Sequence, residues 1–178
     1  MYIVSIDPGL RASGVALFDN TELRAASWVR SPSKEDGAEA WVAMGWAIAC
    51  YAAPYLPGTD SLIFVAEVPQ IYHGRREDTD LNDLPPLAGV VGAAAAFFYG
   101  RSGGVRQYVS YYPHDWKSNV PKAIKVARIW AEIDKRPGER ARVALPPGRK
   151  KGSVGKGVHN IVDACGIGLR FLRERNLR

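Results

Sequence analysis

Three acidic residues stand where an apolar chain least easily accommodates a charge. Asp7 ends the β-branched run Tyr2–Ile6 and is followed at once by Pro8-Gly9; Glu67 ends the run SLIFVA; Asp163 sits in the helical pattern VHNIVDACGIGLRFL, beside His159 and Asn160. A carboxylate at the end of a buried strand is costly unless it is solvated, hydrogen-bonded or bound to a cation. Three strongly apolar elements that each offer one acid suggest carboxylates converging over a sheet, the arrangement that holds hard divalent ions such as Mg2+.

The elements that must position these acids follow from periodicity. A second apolar run, Gly14–Phe18, lies at hairpin distance from the first, and ELRAASWV over 22–29 can pair as a third strand of an antiparallel meander. Ser33 is a credible N-cap, with Glu35 and Asp36 in the first turn, and Trp41, Met44, Ile48, Tyr51 and Tyr55 recur at helical spacing. The pattern predicts a helix over 34–53 whose aromatic residues join the core. Residues 61–66 read as a strand covered on both faces, since the run is continuous and does not alternate.

Residues 68–83 contain Pro69, Gly74, Arg75, Arg76 and four acids with no apolar period, and read as a loop. Residues 84–100 predict a helix with a small-residue face of Gly89, Gly92, Ala93 and Ala96, suited either to its own sheet or to a second subunit. A strand over 105–112, the turn PHDWKSNVPK and a short helix over 122–134 follow. Residues 135–156 hold eight Lys/Arg, one acid, three prolines and four glycines, a composition that predicts a mobile basic loop and raises phosphate contact as a role. The last helix, about 157–175, has a core stripe at Val158, Ile161, Val162, Cys165, Leu169 and Leu172 and carries His159 and Asn160 one turn before Asp163.

Composition narrows the class. At 178 residues with 47% hydrophobic and 24% charged, the chain is expected to be a single globular domain with a substantial core. It has no run long enough for a membrane span and no signal-peptide pattern, so a cytoplasmic protein of a bacterial or phage-infected cell, with no membrane partner, is expected. Cys50 and Cys165 have no zinc spacing and read as buried free thiols. The net charge of +6 conceals an asymmetry: residues 1–100 hold 6 Lys/Arg against 12 Asp/Glu, and residues 101–178 hold 18 against 6. A basic half joined to an acidic half points to a polyanion surface beside a cation site.

The order β-β-β-α-β-α-β-α, with IDPGLRASGVALF around Asp7, AEVPQIY around Glu67, the segment PHDWKSNVPK and HNIVDACGIGL around Asp163, resembles the RuvC-type Holliday-junction resolvases, particularly their phage relatives, within the RNase H-like nuclease superfamily. The resemblance implies an α/β RNase H-like fold, with a five-stranded mixed sheet of antiparallel meander and parallel strands flanked by helices. It implies two Mg2+ ions, with Mn2+ able to substitute, held by Asp7, Glu67 and Asp163. It also implies hydrolysis of DNA to a 5′ phosphate, four-way-junction DNA as partner and a homodimer that could form through helix 84–100. Lys117 and Lys122 match basic positions of the family and would contact phosphate. Tyr72 is the candidate for an aromatic that stacks at the opened junction, and Arg75, Arg76, Lys125, Arg149, Lys150, Lys151 and Lys156 are further candidate DNA contacts.

The family's usual fourth ligand, three residues before the last Asp, is Asn160 here, with His159 one residue further back. A histidine can coordinate a metal or move a proton, whereas an amide is a weak neutral ligand, so His159 is the preferred fourth group. Three other readings compete: a nuclease of flaps, forks or other branched DNA; a non-catalytic junction-binding relative; and the phosphate loop of the sugar kinase, actin and chaperone ATPase superfamily, which DPGLRASG also resembles. The last generally needs a second lobe for which the chain has no room.

Overall fold

The computed structural model describes residues 1–34, 36–58, 61–69, 84–100, 104–117, 120–147 and 157–177. Strands β1 (Tyr2–Asp7), β2 (Ala12–Asp19) and β3 (Glu22–Arg30) form the meander; α1 (Ala38–Ala52) leads to β4 (Leu62–Glu67), α2 (Leu84–Tyr99) and β5 (Val105–Tyr111). The short α3 (Pro113–Lys117), α4 (Lys122–Asp134), β6 (Val143–Ala144) and α5 (Val158–Glu174) complete the chain. The sheet has the order β5-β4-β1-β2-β3-β6, with β1, β4 and β5 mutually parallel.

Period-two alternation sorts the side chains into two cores. Val4, Ile6, Val15, Leu17, Phe64 and Ala66 face α1 and α2, whereas Ile3, Ala16, Phe18, Ile63 and Val65 face α4 and α5. The same alternation continues through the carboxyl ends of β1 and β4, so Asp7 and Glu67 fall on the α5 side. Helix α5 is almost wholly buried, with Ile161, Val162, Cys165, Leu169 and Leu172 inaccessible to solvent. It lies close because two glycines admit it. A Cβ on Gly14 would lie 1.8 Å from the carbonyl oxygen of Asn160, and one on Gly168 would lie 2.3 Å from the Phe18 ring. Ser5, buried on the central strand, donates from Oγ to the carbonyl of Ala164 at 2.9 Å and fixes α5 against β1.

Several expectations are corrected. The sheet has six strands, not five: residues 139–144, expected to lie in a mobile loop over 135–156, form a 3-10 turn (Glu139–Arg142) and β6, which pairs parallel to Ala26 and Ser27 of β3. The buried carboxylate of Glu139 accepts a bond from the backbone N–H of Leu23 at 2.9 Å, and this contact between distant segments anchors the strand. Helix α1 begins at Ala38 behind Gly37 (φ 77°), and Ser33 does not cap it. Lys34 and Asp36 are engaged instead by Arg11, which donates to the Lys34 carbonyl at 2.9 Å and pairs with Asp36 at 2.6 Å. Tyr55, in the turn that carries Pro54, is 40% exposed and not core, and Cys50 is exposed.

The small-residue face of α2 serves the fold first. A Cβ on Gly89 would strike the Trp41 ring of α1, and one on Gly45 of α1 would meet Ala93; Gly92 has open space before it. Among the described residues, no helix is long and apolar enough to cross a membrane.

Candidate active site

The parallel register of β1 and β4, which pairs Ile6 with Ala66, puts Asp7 and Glu67 at adjacent strand ends. Helix α5 crosses above them and contributes Asp163 from its buried face. Asp7 is 8% and Asp163 5% exposed. Burial, and then the charges of Glu67 and Asp163, raise the Asp7 pKa well above its ordinary value, although Lys117 and Lys125 pull the other way. Two chain-distant acids thus act electrostatically on a third.

Two lysines interpose. Lys117, the last residue of α3, donates from Nζ to Glu67 Oε1 at 2.8 Å and lies 3.8 Å from Asp163 Oδ2. Lys125, one turn into α4, sits 2.8 Å from Asp163 Oδ1. Burial works against the Lys117 ammonium, but Glu67, Asp7 and Asp163 together outweigh it and raise its pKa. The Lys125 contact is an ion pair without hydrogen-bond alignment, so buried Asp163 Oδ1 has no hydrogen bond among the described residues. Trp116 donates its indole N–H to Glu67 Oε2 at 2.7 Å, a contact that only the fold could reveal.

A cleft of about 520 Å3 opens over these groups, lined by Asp7, Lys117, Lys122, Lys125, His159, Asn160 and Asp163 among others. His159 and Asn160 are half-buried in its wall, and the Asn160 amide lies 3.4 Å from the Ala12 carbonyl. Lys122 is exposed at the mouth. Tyr72, Arg75, Arg76, Arg149, Lys150, Lys151 and Lys156 lie outside the described residues.

The donor set suits a hard divalent cation: three carboxylates, two of them buried, and one of these, Asp7, with its charge disfavoured by burial and by its acidic neighbours. Among the described residues, no three His, Cys, Asp or Glu side chains are grouped to hold an ion as they lie, and Lys117 and Lys125 pair with the carboxylates of Glu67 and Asp163. The site therefore brings three carboxylates together in an arrangement neutralised by ammonium groups.

No protein-family model matches the chain. A search of curated protein sequences finds no match either. Solved structures do match. RuvC of Thermus thermophilus aligns with a TM-score of 0.61 at 16% identity over 99% of this chain and 98% of that one; the same protein in complex with Holliday junction substrate aligns at 0.54. The yeast mitochondrial Holliday junction resolvase aligns at 0.61 and 13% identity over 98% of this chain and 79% of its own. The fowlpox virus Holliday junction resolvase aligns at 0.55 and 15% identity over 98% and 99%. At such identities the common property is architecture, and the chain carries the RNase H-like fold of the RuvC-type Holliday junction resolvases.

Proposed function

We infer that the protein is a divalent-metal-dependent endonuclease that resolves four-way DNA junctions by paired symmetric nicks. One observation carries this reading: Asp7 and Asp163 line one basic cleft, and Glu67 stands beside them, acting on Asp7 by its charge and bonded to the cleft residue Lys117, on an architecture common to resolvases. One of those, RuvC, is known in complex with Holliday junction substrate.

Asp7, Glu67 and Asp163 would hold two Mg2+ or Mn2+ ions, with His159 or Asn160 available from the cleft wall as a fourth donor. When bound, such ions supply an activated water and stabilise the leaving 3′ oxygen. Trp116 orients Glu67 for that task. Lys117 and Lys125, which balance the acids in their present positions, become available to a DNA phosphate once the acids are neutralised by cations, and Lys122 attracts the backbone at the mouth. A two-fold homodimer would present two such clefts to symmetric strands; Val42, Trp46 and Tyr99 on the α1–α2 layer are each more than half exposed and offer it a surface.

The test is cleavage of a synthetic four-way junction with and without Mg2+, beside Asp7→Asn. Metal-dependent paired nicks that Asp7→Asn abolishes while junction binding persists support the reading. Flap, fork and linear substrates in the same panel define the selectivity. The engagement of Glu67 and Asp163 by lysines favours a second reading, a junction-binding protein without chemistry. Tight binding with no cleavage in Mg2+ or Mn2+ would establish that one.

A further inference from the structure

Antiparallel pairing extends a row of residues sideways from the candidate active site. Asp7 pairs with Gly14 and Gly14 with Trp28, so Trp28 stands on the same sheet face two strands away, about 10 Å across at the usual strand spacing. Arg30, two residues on, shares that face and pairs with Ala12. A second cleft of about 330 Å3 opens here, walled by Arg11, Trp28 and Arg30 and, on its inner side, by His159 and Asn160. The last two residues also line the active-site cleft, so the two cavities share a wall.

The chemistry of this second cleft is one-sided. No acid lines it. The Arg30 guanidinium lies 4.7 Å over the Trp28 ring, and among the described residues no carboxylate pairs with it. A guanidinium stacked on an aromatic face is held in orientation while its N–H edge remains available for a planar anion. Arg11 is already engaged, donating to the Lys34 carbonyl and pairing with Asp36, so Arg30 is the group this cleft offers to an anion.

We propose that the Trp28–Arg30 cleft binds the phosphodiester backbone of the strand being cut, within a few nucleotides of the scissile bond, with Arg30 as the phosphate grip. The proposal rests on the nuclease reading and adds to it the path that the strand takes out of the active site. His159 and Asn160 form the passage between the two cavities.

The experiment is equilibrium binding of a fluorescent four-way junction in EDTA across a salt series, with unmodified protein, Arg30→Ala and Arg24→Ala. Arg24 lies on the same strand and is paired with Asp19 at 3.0 Å, away from the cleft, so its removal controls for net charge. Loss of one phosphate contact is expected to weaken binding by roughly three- to tenfold and to flatten the log–log salt slope by about 0.9. Arg24→Ala is expected to leave both unchanged, and all three proteins to melt at the same temperature. Arg30→Ala with unaltered affinity and slope overturns the proposal, as does an equal loss in Arg24→Ala. Failure of the unmodified protein to bind or cut any branched DNA overturns the nuclease reading instead, and is read before any variant is compared.

Discussion

The indole N–H of Trp116 donates to Glu67 Oε2 at 2.7 Å, and the same ring lies beneath the ammonium groups of Lys117, at 5.0 Å, and Lys125, at 4.9 Å. One side chain thus contacts an acid and the two lysines that pair with the acids of the candidate site. Gly166 makes room for it, since a Cβ there would lie 2.9 Å from the Trp116 ring. The helix that supplies Asp163 is therefore also shaped around the tryptophan.

Replacing Trp116 with Phe keeps an aromatic face under the lysines but removes the donor to Glu67. Partners that orient a metal ligand typically contribute 10- to 100-fold in activity or metal affinity, so Trp116→Phe is expected to cut junction cleavage about tenfold and to raise the Mg2+ concentration for half-maximal rate. A Mg2+ titration of cleavage, with a melting curve to verify the fold, checks this.

Lys125→Met removes the ammonium 2.8 Å from Asp163 and leaves a buried carboxylate next to two others. Breaking a fully buried pair costs about 3–5 kcal/mol. This one borders an open cleft, so a loss of about 2 kcal/mol in EDTA is expected. Added Mg2+ is expected to raise the melting temperature of Lys125→Met more than that of the unmodified protein, because a divalent ion replaces the missing charge. Thermal melts with and without Mg2+ provide the comparison.

The raised pKa of Asp7 gives a pH signature to the metal-free protein. The folded state binds this proton more tightly than the unfolded chain, so Asp7 favours folding at and below its ordinary value of 3.8, and the contribution is lost as pH rises through the raised value. Asn mimics the protonated form. In EDTA, Asp7→Asn is expected to melt higher than the unmodified protein at neutral pH, and the gain to vanish on acidification. Melting temperatures across pH settle the sign.

Asp7 and Glu67 were legible in the sequence because an apolar run that stops at an acid is a local signal, and strand alternation then assigns the acid a face; Asp163 was legible as an acid within an apolar helical pattern. Helices α2, α4 and α5 were legible for the same reason, each being set by its own periodicity. What was not legible depends on partners far along the chain. Two-residue β6 exists because Glu139 and Val143 meet β3, and its Pro- and Arg-rich surroundings carry no strand period. The late start of α1 goes with the contacts of Arg11 to Lys34 and Asp36, against a sound local cap signal at Ser33. Trp116 read only as part of a turn, and Trp28 only as strand with Arg30 beyond its end, because neither contact has a sequence spacing.

Gly14→Ala is expected to be the most damaging of the small substitutions. The added carbon would meet the backbone of Asn160 at 1.8 Å, which no side-chain rotation relieves, so α5 must lift or the protein must unfold. A loss of at least about 3 kcal/mol is expected, measured by denaturant melts.

Gly14 faces Asp7 across the hairpin and holds up nothing of its own, yet the separation of Asp163 from Asp7 is set by the bareness of that position. Its tolerance to change is therefore governed by catalysis and packing at once. In a saturation library selected for junction cleavage, position 14 should return glycine alone, while its flanking strand neighbours Ala12 and Ala16 accept other small residues.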